Sequence, residues 1–195
     1  MGALVMEVSQ KNRSQDRQAL VSMAQDERDQ TQYLSFMLGG ELFAIGILAI
    51  KEIIEFDGLT LVPMMPDFIR GVINLRGAVV PVMDLMARFN REPGAVTKRT
   101  CIVIVETVTD DGRQVIGVVV DAVNAVVEIA SSEIEPAPSF GARINSSFIE
   151  GMGKIDGRFI IILDVDRVLS IDDMEALNVV RTFPATAAIG VGTQA

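Results

Sequence analysis

The fold is decided by the stretch Phe68–Asp84, FIRGVINLRGAVVPVMD, because it returns in altered form as Phe148–Asp164, FIEGMGKIDGRFIIILD. The opening Phe-Ile, two glycines and the closing aspartate fall in register between the two copies. Short apolar runs bounded by glycine, proline and asparagine are typical of strands joined by turns. The repeat therefore predicts one small, strand-rich unit that was built twice. The sharpest difference between the copies is at Arg76, whose counterpart is Asp156.

A second repeated pattern precedes each copy of this stretch. The apolar positions of residues 43–55 recur in residues 116–128, where valine replaces most of the isoleucines. Each half is therefore predicted to contain a strand, a turn, a long apolar strand, a proline-punctuated loop, a Phe-Ile-x-Gly turn and a further apolar strand. Residues 47–54 also fit helical spacing, but their β-branched content favours a strand. Short helical turns are predicted at Asp67–Arg70 and Asp84–Phe89.

Composition favours a β protein and excludes most catalytic sites. The apolar residues make up 49% of the 195 residues and are mainly Val, Ile, Leu and Met, with no Trp. Because histidine is absent, the chain lacks the usual general base near neutral pH, and neither an ordinary zinc site nor a Ser-His or Cys-His nucleophile can form. The single cysteine, Cys101, lies in an apolar run and is predicted to be an inert core thiol in a reducing compartment.

The charge of the chain bears on its partners. A net charge of −9 argues against binding to the phosphate backbone of nucleic acid. Residues 70–99 are nevertheless basic, and this segment is either a solvated face or a patch for an acidic protein partner. No apolar run approaches the roughly 20 residues that a membrane-spanning helix needs, and the N-terminus has no signal-peptide pattern.

Arg76 is the strongest candidate for a functional side chain. It stands in the tight turn Asn74–Gly77, at a position where the other half carries an aspartate. Glu52, on the long strand of the same half, is its predicted partner. A fixed Arg–Glu pair would give the arginine one orientation, although an exposed pair contributes only about 0–1 kcal/mol to stability. The alternative is an ordinary solvated arginine.

The motifs around Arg76 closely resemble those of the CheW family, the coupling proteins of bacterial chemotaxis. The matching segments follow the family order: Val62-Pro63-x-x-Pro66, Phe68-Ile69-x-Gly71-Val72-Ile73-Asn74-Leu75-Arg76-Gly77, Val80-Pro81-Val82-x-Asp84-Leu85, Gly117-Val118-Val119-Val120-Asp121 and Leu163-Asp164. The resemblance covers residues 31–178, and the combination of the Asn-Leu-Arg-Gly block with the downstream Val-Val-Asp block is specific.

The resemblance implies a mainly β fold of two interlocked, SH3-like, five-stranded β-barrels with short helices and a C-terminal helix. It implies a non-catalytic, cytoplasmic adaptor without a cofactor. Such an adaptor joins the regulatory domain of the histidine kinase CheA to the cytoplasmic tip of a methyl-accepting chemoreceptor, and it reaches membrane receptor arrays only through these partners. Neither nucleic-acid binding nor direct membrane insertion is expected. The alternative, from another class, is a small-molecule or oligonucleotide-binding double β-barrel.

The resemblance also implies a receptor site in an apolar groove between the barrels. Carried over to this sequence, Glu52 and Arg76 are the paired charges near that groove. The other residues expected to line or shape it are Ile50, Gly71, Gly77, Val103 and Val127. No residue is assigned to kinase binding.

The sequence predicts three regions. The central one is a CheW-like domain at 31–178, with a first barrel at roughly 31–95 and a second at roughly 96–170, and strand exchange between them is left open. This domain ends with a helix at 171–178. The other two regions are a mobile arm at 1–30 and a disordered tail at 179–195.

Overall fold

The computed structural model describes residues 30–109, 112–137 and 144–170, which form ten strands and a few short helical turns. The strands are β1 (Gln30–Leu38), β2 (Glu41–Gly46), β3 (Ile50–Glu55), β4 (Ile69–Leu75), β5 (Ala78–Asp84), β6 (Cys101–Thr109), β7 (Gly112–Val120), β8 (Ala122–Ala130), β9 (Ile149–Ile155) and β10 (Arg158–Leu163). The helical turns are α1 (Leu85–Arg88), α2 (Val165–Val168) and the 3-10 turns Ile47–Ala49, Ser131–Glu133 and Ser146–Phe148. The predicted arm up to residue 29, the predicted helix 171–178 and the predicted tail lie outside the described residues, whereas Gln30, the last residue of the predicted arm, begins β1.

The strands form two five-stranded sheets. Sheet A has the order β8-β1-β2-β10-β9, and sheet B has the order β3-β6-β7-β5-β4. Replacing each strand by its repeat partner converts one order into the other, so the repeat in the sequence is also a repeat in the structure. Each sheet takes strands from both halves of the chain, and neither corresponds to segment 31–95 or 96–170 alone. The predicted mainly β fold with two five-stranded units is confirmed.

The exchange of strands begins at the 3-10 turn Ile47–Ala49. This turn carries the chain out of sheet A, where β2 pairs with β1, and into sheet B, where β3 pairs with β6. The prediction of one continuous strand over residues 47–54 is therefore wrong for its first three residues. The chain cannot stay extended there, because it must change direction to reach the second sheet.

Isolated bridges, rather than continuous ladders, join the two edges of each sheet. Thr60 follows edge strand β3 and pairs with Val72 of the opposite edge strand β4. Glu135 follows edge strand β8 and pairs with Met152 of β9 in the same way. Each sheet is therefore curled towards a barrel, and its edges are partly covered, which protects them from pairing with other chains.

The core consists of one shared part, to which both sheets contribute, and two smaller parts that are each confined to one sheet. The largest apolar cluster contains buried residues from both sheets, whereas two smaller clusters each draw their buried residues from one sheet. A row of neighbouring rings crosses the shared part, with centroids 6.1–6.2 Å apart; the first two pairs are stacked and the last is tilted, and the row consists of Phe36, Phe43, Phe89 and Phe148. Cys101 is half-buried and packs against the shared part. Within the described ranges, no helix is long and apolar enough to span a membrane.

One predicted helical turn is confirmed and the other is wrong. Asp84 caps α1, because its Oδ1 accepts hydrogen bonds from the backbone N–H groups of Met86 at 2.9 Å and Ala87 at 3.3 Å. The chain at Asp67–Arg70 instead makes a brief turn and enters β4 at Ile69. There the Phe-Ile-x-Gly segment must start a strand directly, since Phe68 accepts a backbone hydrogen bond from Asp84.

We expect Asp84→Ala to lower the free energy of unfolding by about 2–3 kcal/mol, because it removes a buried cap and leaves Arg70 without its carboxylate. Asp84 is 4% exposed, and its Oδ2 lies 3.7 Å from Arg70 Nε. Urea unfolding measures the change. The repeat equivalent Asp164→Ala is the matched control and should cost only about 1 kcal/mol, since it removes a more exposed cap. Equal losses at the two positions would contradict this reasoning.

Candidate functional site

Glu52 and Arg76 form the ion pair that the sequence predicts. Arg76 Nη2 donates to Glu52 Oε2 over 2.9 Å. The arginine side chain is 79% exposed and that of the glutamate 26% exposed. The glutamate is therefore held by the sheet, and it holds the guanidinium at the surface.

The turn that carries Arg76 explains its fixed position. Arg76 and Gly77 connect β4 to β5 and have φ values of 53° and 89°, the left-handed conformation that a two-residue hairpin requires. Asn74 Oδ1 closes the turn by accepting from the Gly77 N–H at 2.8 Å. In the other half, Asp156 and Gly157 make the same turn with φ values of 50° and 78°.

An arginine is poorly suited to this turn. Aspartate, asparagine and glycine tolerate the left-handed region, whereas other residues lose about 1–2 kcal/mol there. The second half uses the favoured Asp-Gly pair, and the first half uses Arg76 at the same backbone angle. A strained residue that is kept where a better one would fit points to a functional use of its side chain.

The Glu52–Arg76 pair also joins the two edges of sheet B. Glu52 lies on edge strand β3, and Arg76 lies at the tip of the hairpin formed by β4 and β5, next to the other edge. The Thr60–Val72 bridge crosses between the same edges. The position of the guanidinium therefore depends on the curl of the whole sheet.

The structure brings only some of the predicted receptor-site residues together. Gly77 adjoins Arg76 in the turn, and Ile50 is half-buried on β3 against the shared core. Val127 is half-buried on β8, in the other sheet, where it packs against the smaller apolar cluster that is confined to sheet A. These residues, with Glu52 and Arg76, lie on both sheets.

Gly71 and Val103 are buried and offer a partner no direct contact. Val103 is 0% exposed in the shared core, where it pairs with Ile53 of β3. Gly71 has a φ of 148°, and a Cβ at this position would lie 2.3 Å from the carbonyl oxygen of Thr60. Both residues can shape the surface only from within, by supporting β3 and the edge-closing bridge.

The basic segment 70–99 is mostly occupied by internal contacts. Arg91 Nη1 lies 2.8 Å from Glu41 Oε2, Arg70 faces Asp84, and Arg76 is paired with Glu52. The interpretation as an open basic patch is therefore weakened, because these charges are already matched. The segment looked basic in the sequence because two of these partners, Glu41 and Glu52, lie outside it.

The two halves differ in charge at a second position. Arg70 faces Asp84 in the first half, whereas its repeat equivalent Glu150 faces Asp164 in the second. Partial burial raises the pKa of the Glu150 carboxyl, and the nearby Asp164 carboxylate raises it further. Burial also raises the pKa of Tyr33, and the charge of Glu150 adds to that effect. Arg167, 3.1 Å from Asp164, partly balances this acidic corner.

Arg88 is a side chain that the sequence reasoning missed. Its guanidinium carbon lies 5.0 Å from the ring centroid of Phe68 and 5.1 Å from that of Phe148. The repeated phenylalanines were visible in the sequence, and so was the break in the repeat at Arg88, whose counterpart is Val168; that break is the signal that could have found it. Within the described part of the chain, no cluster of three or more Cys, Asp or Glu side chains could hold a metal ion.

Comparison with known proteins gives consistent matches. A model of the CheW-like domain family matches residues 32–173. Chemotaxis protein CheW of Klebsiella aerogenes is 33% identical over 160 residues, which cover 82% of this chain and 94% of that protein. Chemotaxis protein CheW of Bacillus subtilis is 36% identical over 135 residues, covering 69% and 83%. The crystal structure of scaffolding protein TtCheW from Thermoanaerobacter tengcongensis has a TM-score of 0.68 and 35% identity, covering 75% of this chain and 92% of that one.

Proposed function

Because this chain belongs to the CheW family, we propose that it is a non-catalytic adaptor that couples chemoreceptors to the histidine kinase CheA in chemotaxis-type signal transduction. Its relatives are chemotaxis proteins, and its structural neighbour is a scaffolding protein. An adaptor needs preformed surfaces and no reacting groups, which agrees with a chain that has no histidine.

The observation that best supports a receptor site is the ion pair of Glu52 and Arg76. The pair presents an exposed guanidinium in one orientation, at a turn where arginine is conformationally disfavoured. We propose that Glu52, Arg76 and Gly77, with Ile50 beside them and Val127 on the other sheet, contact the cytoplasmic tip of the receptor. Gly71 and Val103 would act by shaping this surface. Helix-in-groove recognition fits a helical receptor tip that docks between the two sheets.

We further propose that the second partner is the regulatory domain of CheA, and that the protein works in the cytoplasm, at membrane arrays reached through the receptor. The test combines this chain with receptor-containing membranes and the CheA kinase of the same organism. We expect receptor control of kinase autophosphorylation only when all three components are present. If the chain sediments with neither the receptor membranes nor the kinase, the proposed function is wrong.

The alternative of a small-molecule or oligonucleotide-binding module makes a different prediction. A thermal-shift screen against nucleotides and short oligonucleotides should leave the melting temperature of this chain unchanged. A clear, saturable shift would favour the alternative instead. The comparisons lend it no support, since the matched relatives are chemotaxis proteins.

A further inference from the structure

Arg88 connects the two sheets at equivalent points. It is the last residue of α1, which follows strand β5 of sheet B. Its guanidinium lies over Phe68, which precedes β4 of sheet B, and over Phe148, which precedes β9 of sheet A. Both distances are within the range of about 6 Å in which a cation is attracted to the face of a ring. The two rings are repeat equivalents, so one side chain contacts the same position in both halves.

A hydrogen bond adds direction to this contact. Arg88 Nε donates to the backbone carbonyl of Val168 over 3.2 Å. Val168, the last residue of α2, is itself the repeat equivalent of Arg88. The contact therefore joins equivalent points of the two halves. The second half carries a valine at the equivalent position, so its side chain cannot make the same polar contact.

The two rings are anchored firmly to their sheets. The carbonyl of Phe68 accepts from the Asp84 N–H at 2.8 Å, and the carbonyl of Phe148 accepts from the Asp164 N–H at 2.9 Å. The sheets also meet through the apolar shared core and through a few polar contacts, among them the Arg91–Glu41 ion pair at 2.8 Å and the hydrogen bond that Thr107 Oγ1 donates to Asp166. Apolar burial is non-directional, whereas a planar guanidinium that stacks and donates at once demands one geometry.

We propose that Arg88 is a positioning residue that fixes the angle between the two sheets. The proposed receptor site has Arg76 on sheet B and Val127 on sheet A, so its shape depends on that angle. This last step rests on the proposed function. Arg88 thereby supports receptor binding without touching the receptor.

The angle is tested in the absence of any partner. Spin labels are attached at Val79→Cys on β5 and Phe159→Cys on β10, two exposed, repeat-equivalent positions on different sheets, in a Cys101→Val background. We expect Arg88→Met to shift or broaden the distance distribution, and Arg88→Lys to have an intermediate effect because it keeps the charge. Arg99→Met makes the same charge change at an exposed residue and should leave the distribution unchanged.

Receptor binding supplies the second measurement. We expect Arg88→Met to weaken binding of the receptor tip about tenfold, since part of the binding free energy would then be spent on restoring the angle, with partial recovery in Arg88→Lys. An unchanged distance distribution in Arg88→Met would overturn the inference. If Arg88→Met does not fold, the same distances in Arg88→Lys decide, and a distribution equal to the parent's overturns it. If Arg76→Glu leaves receptor binding intact, the proposed site fails, while the partner-free distances still decide the role of Arg88.

Discussion

Arg76→Glu is expected to abolish detectable receptor coupling while the protein stays folded. The substitution places a carboxylate beside Glu52, so the ion pair is lost and the exposed charge is reversed. Reversing a charge at a protein interface weakens binding on the order of 100-fold. The free energy of unfolding should change by less than about 1 kcal/mol, because the parent pair is exposed. Receptor-tip binding and urea unfolding measure the two effects separately.

Two control variants separate the loss of function from the loss of the ion pair. Arg113→Glu makes the same charge reversal at an arginine that is 76% exposed and 3.9 Å from Glu106, and it should leave receptor binding unchanged. Arg76→Asn introduces a residue that suits the turn, so it should stabilise the fold by about 0.5–1 kcal/mol and still lose binding. If Arg76→Asn binds the receptor like the parent, the guanidinium does not form the site.

Gly71→Ala is expected to be the most destabilising small substitution in sheet B. The new Cβ would lie 2.3 Å from the carbonyl oxygen of Thr60 and 3.2 Å from Cγ of Leu59, at a φ of 148°. The Thr60–Val72 bridge, with two backbone hydrogen bonds of 2.8 Å, would have to open. Because the opening of this bridge adds to the cost of the unfavourable φ, we expect the free energy of unfolding to fall by about 3–4 kcal/mol.

The glycine series provides the controls for this prediction. Gly151→Ala places its Cβ 2.4 Å from a methyl group of Ile134, without a positive φ, and should cost less than Gly71→Ala. Gly46→Ala meets no described atom within 4 Å and should change stability by less than about 0.5 kcal/mol. Urea midpoints rank the three variants. If Gly71→Ala is as stable as Gly46→Ala, the bridge does not hold the edges of the sheet, and any effect of Gly71 on coupling must arise elsewhere.

The repeat made the architecture predictable, because glycines and apolar runs record backbone conformation and burial directly. The pair of Glu52 and Arg76 was predictable for a related reason: the two copies share a turn, and Arg76 is the residue that the turn itself does not explain. Glu52, on the long strand of the same half, was the predicted partner, although that strand forms the opposite edge of the sheet. Family resemblance added the candidate role of this pair.

Strand exchange was not predictable from the pattern. Alternating apolar residues define which face of β3 is buried, but they do not say which neighbour it pairs with. That choice depends on the 3-10 turn Ile47–Ala49, whose apolar spacing fits a strand or a helix equally well. Burial of Val103 was similarly hidden, since a core residue and a groove residue have the same composition. Arg88 breaks the repeat as Arg76 does, but its contacts, which include two rings and a carbonyl, come from other parts of the chain and leave no local signal.

The exchanged strands have a consequence for how the two halves stay together. Sheet A needs β8, β9 and β10 from the second half, and sheet B needs β3, β4 and β5 from the first. A peptide-bond break in the exposed segment 92–98 would therefore leave two fragments that still complete each other's sheets. The intact connection would act mainly as a tether that raises the effective concentration of one half near the other. Either fragment alone would lack partners for its strands, so reassociation of the halves would restore the whole molecule.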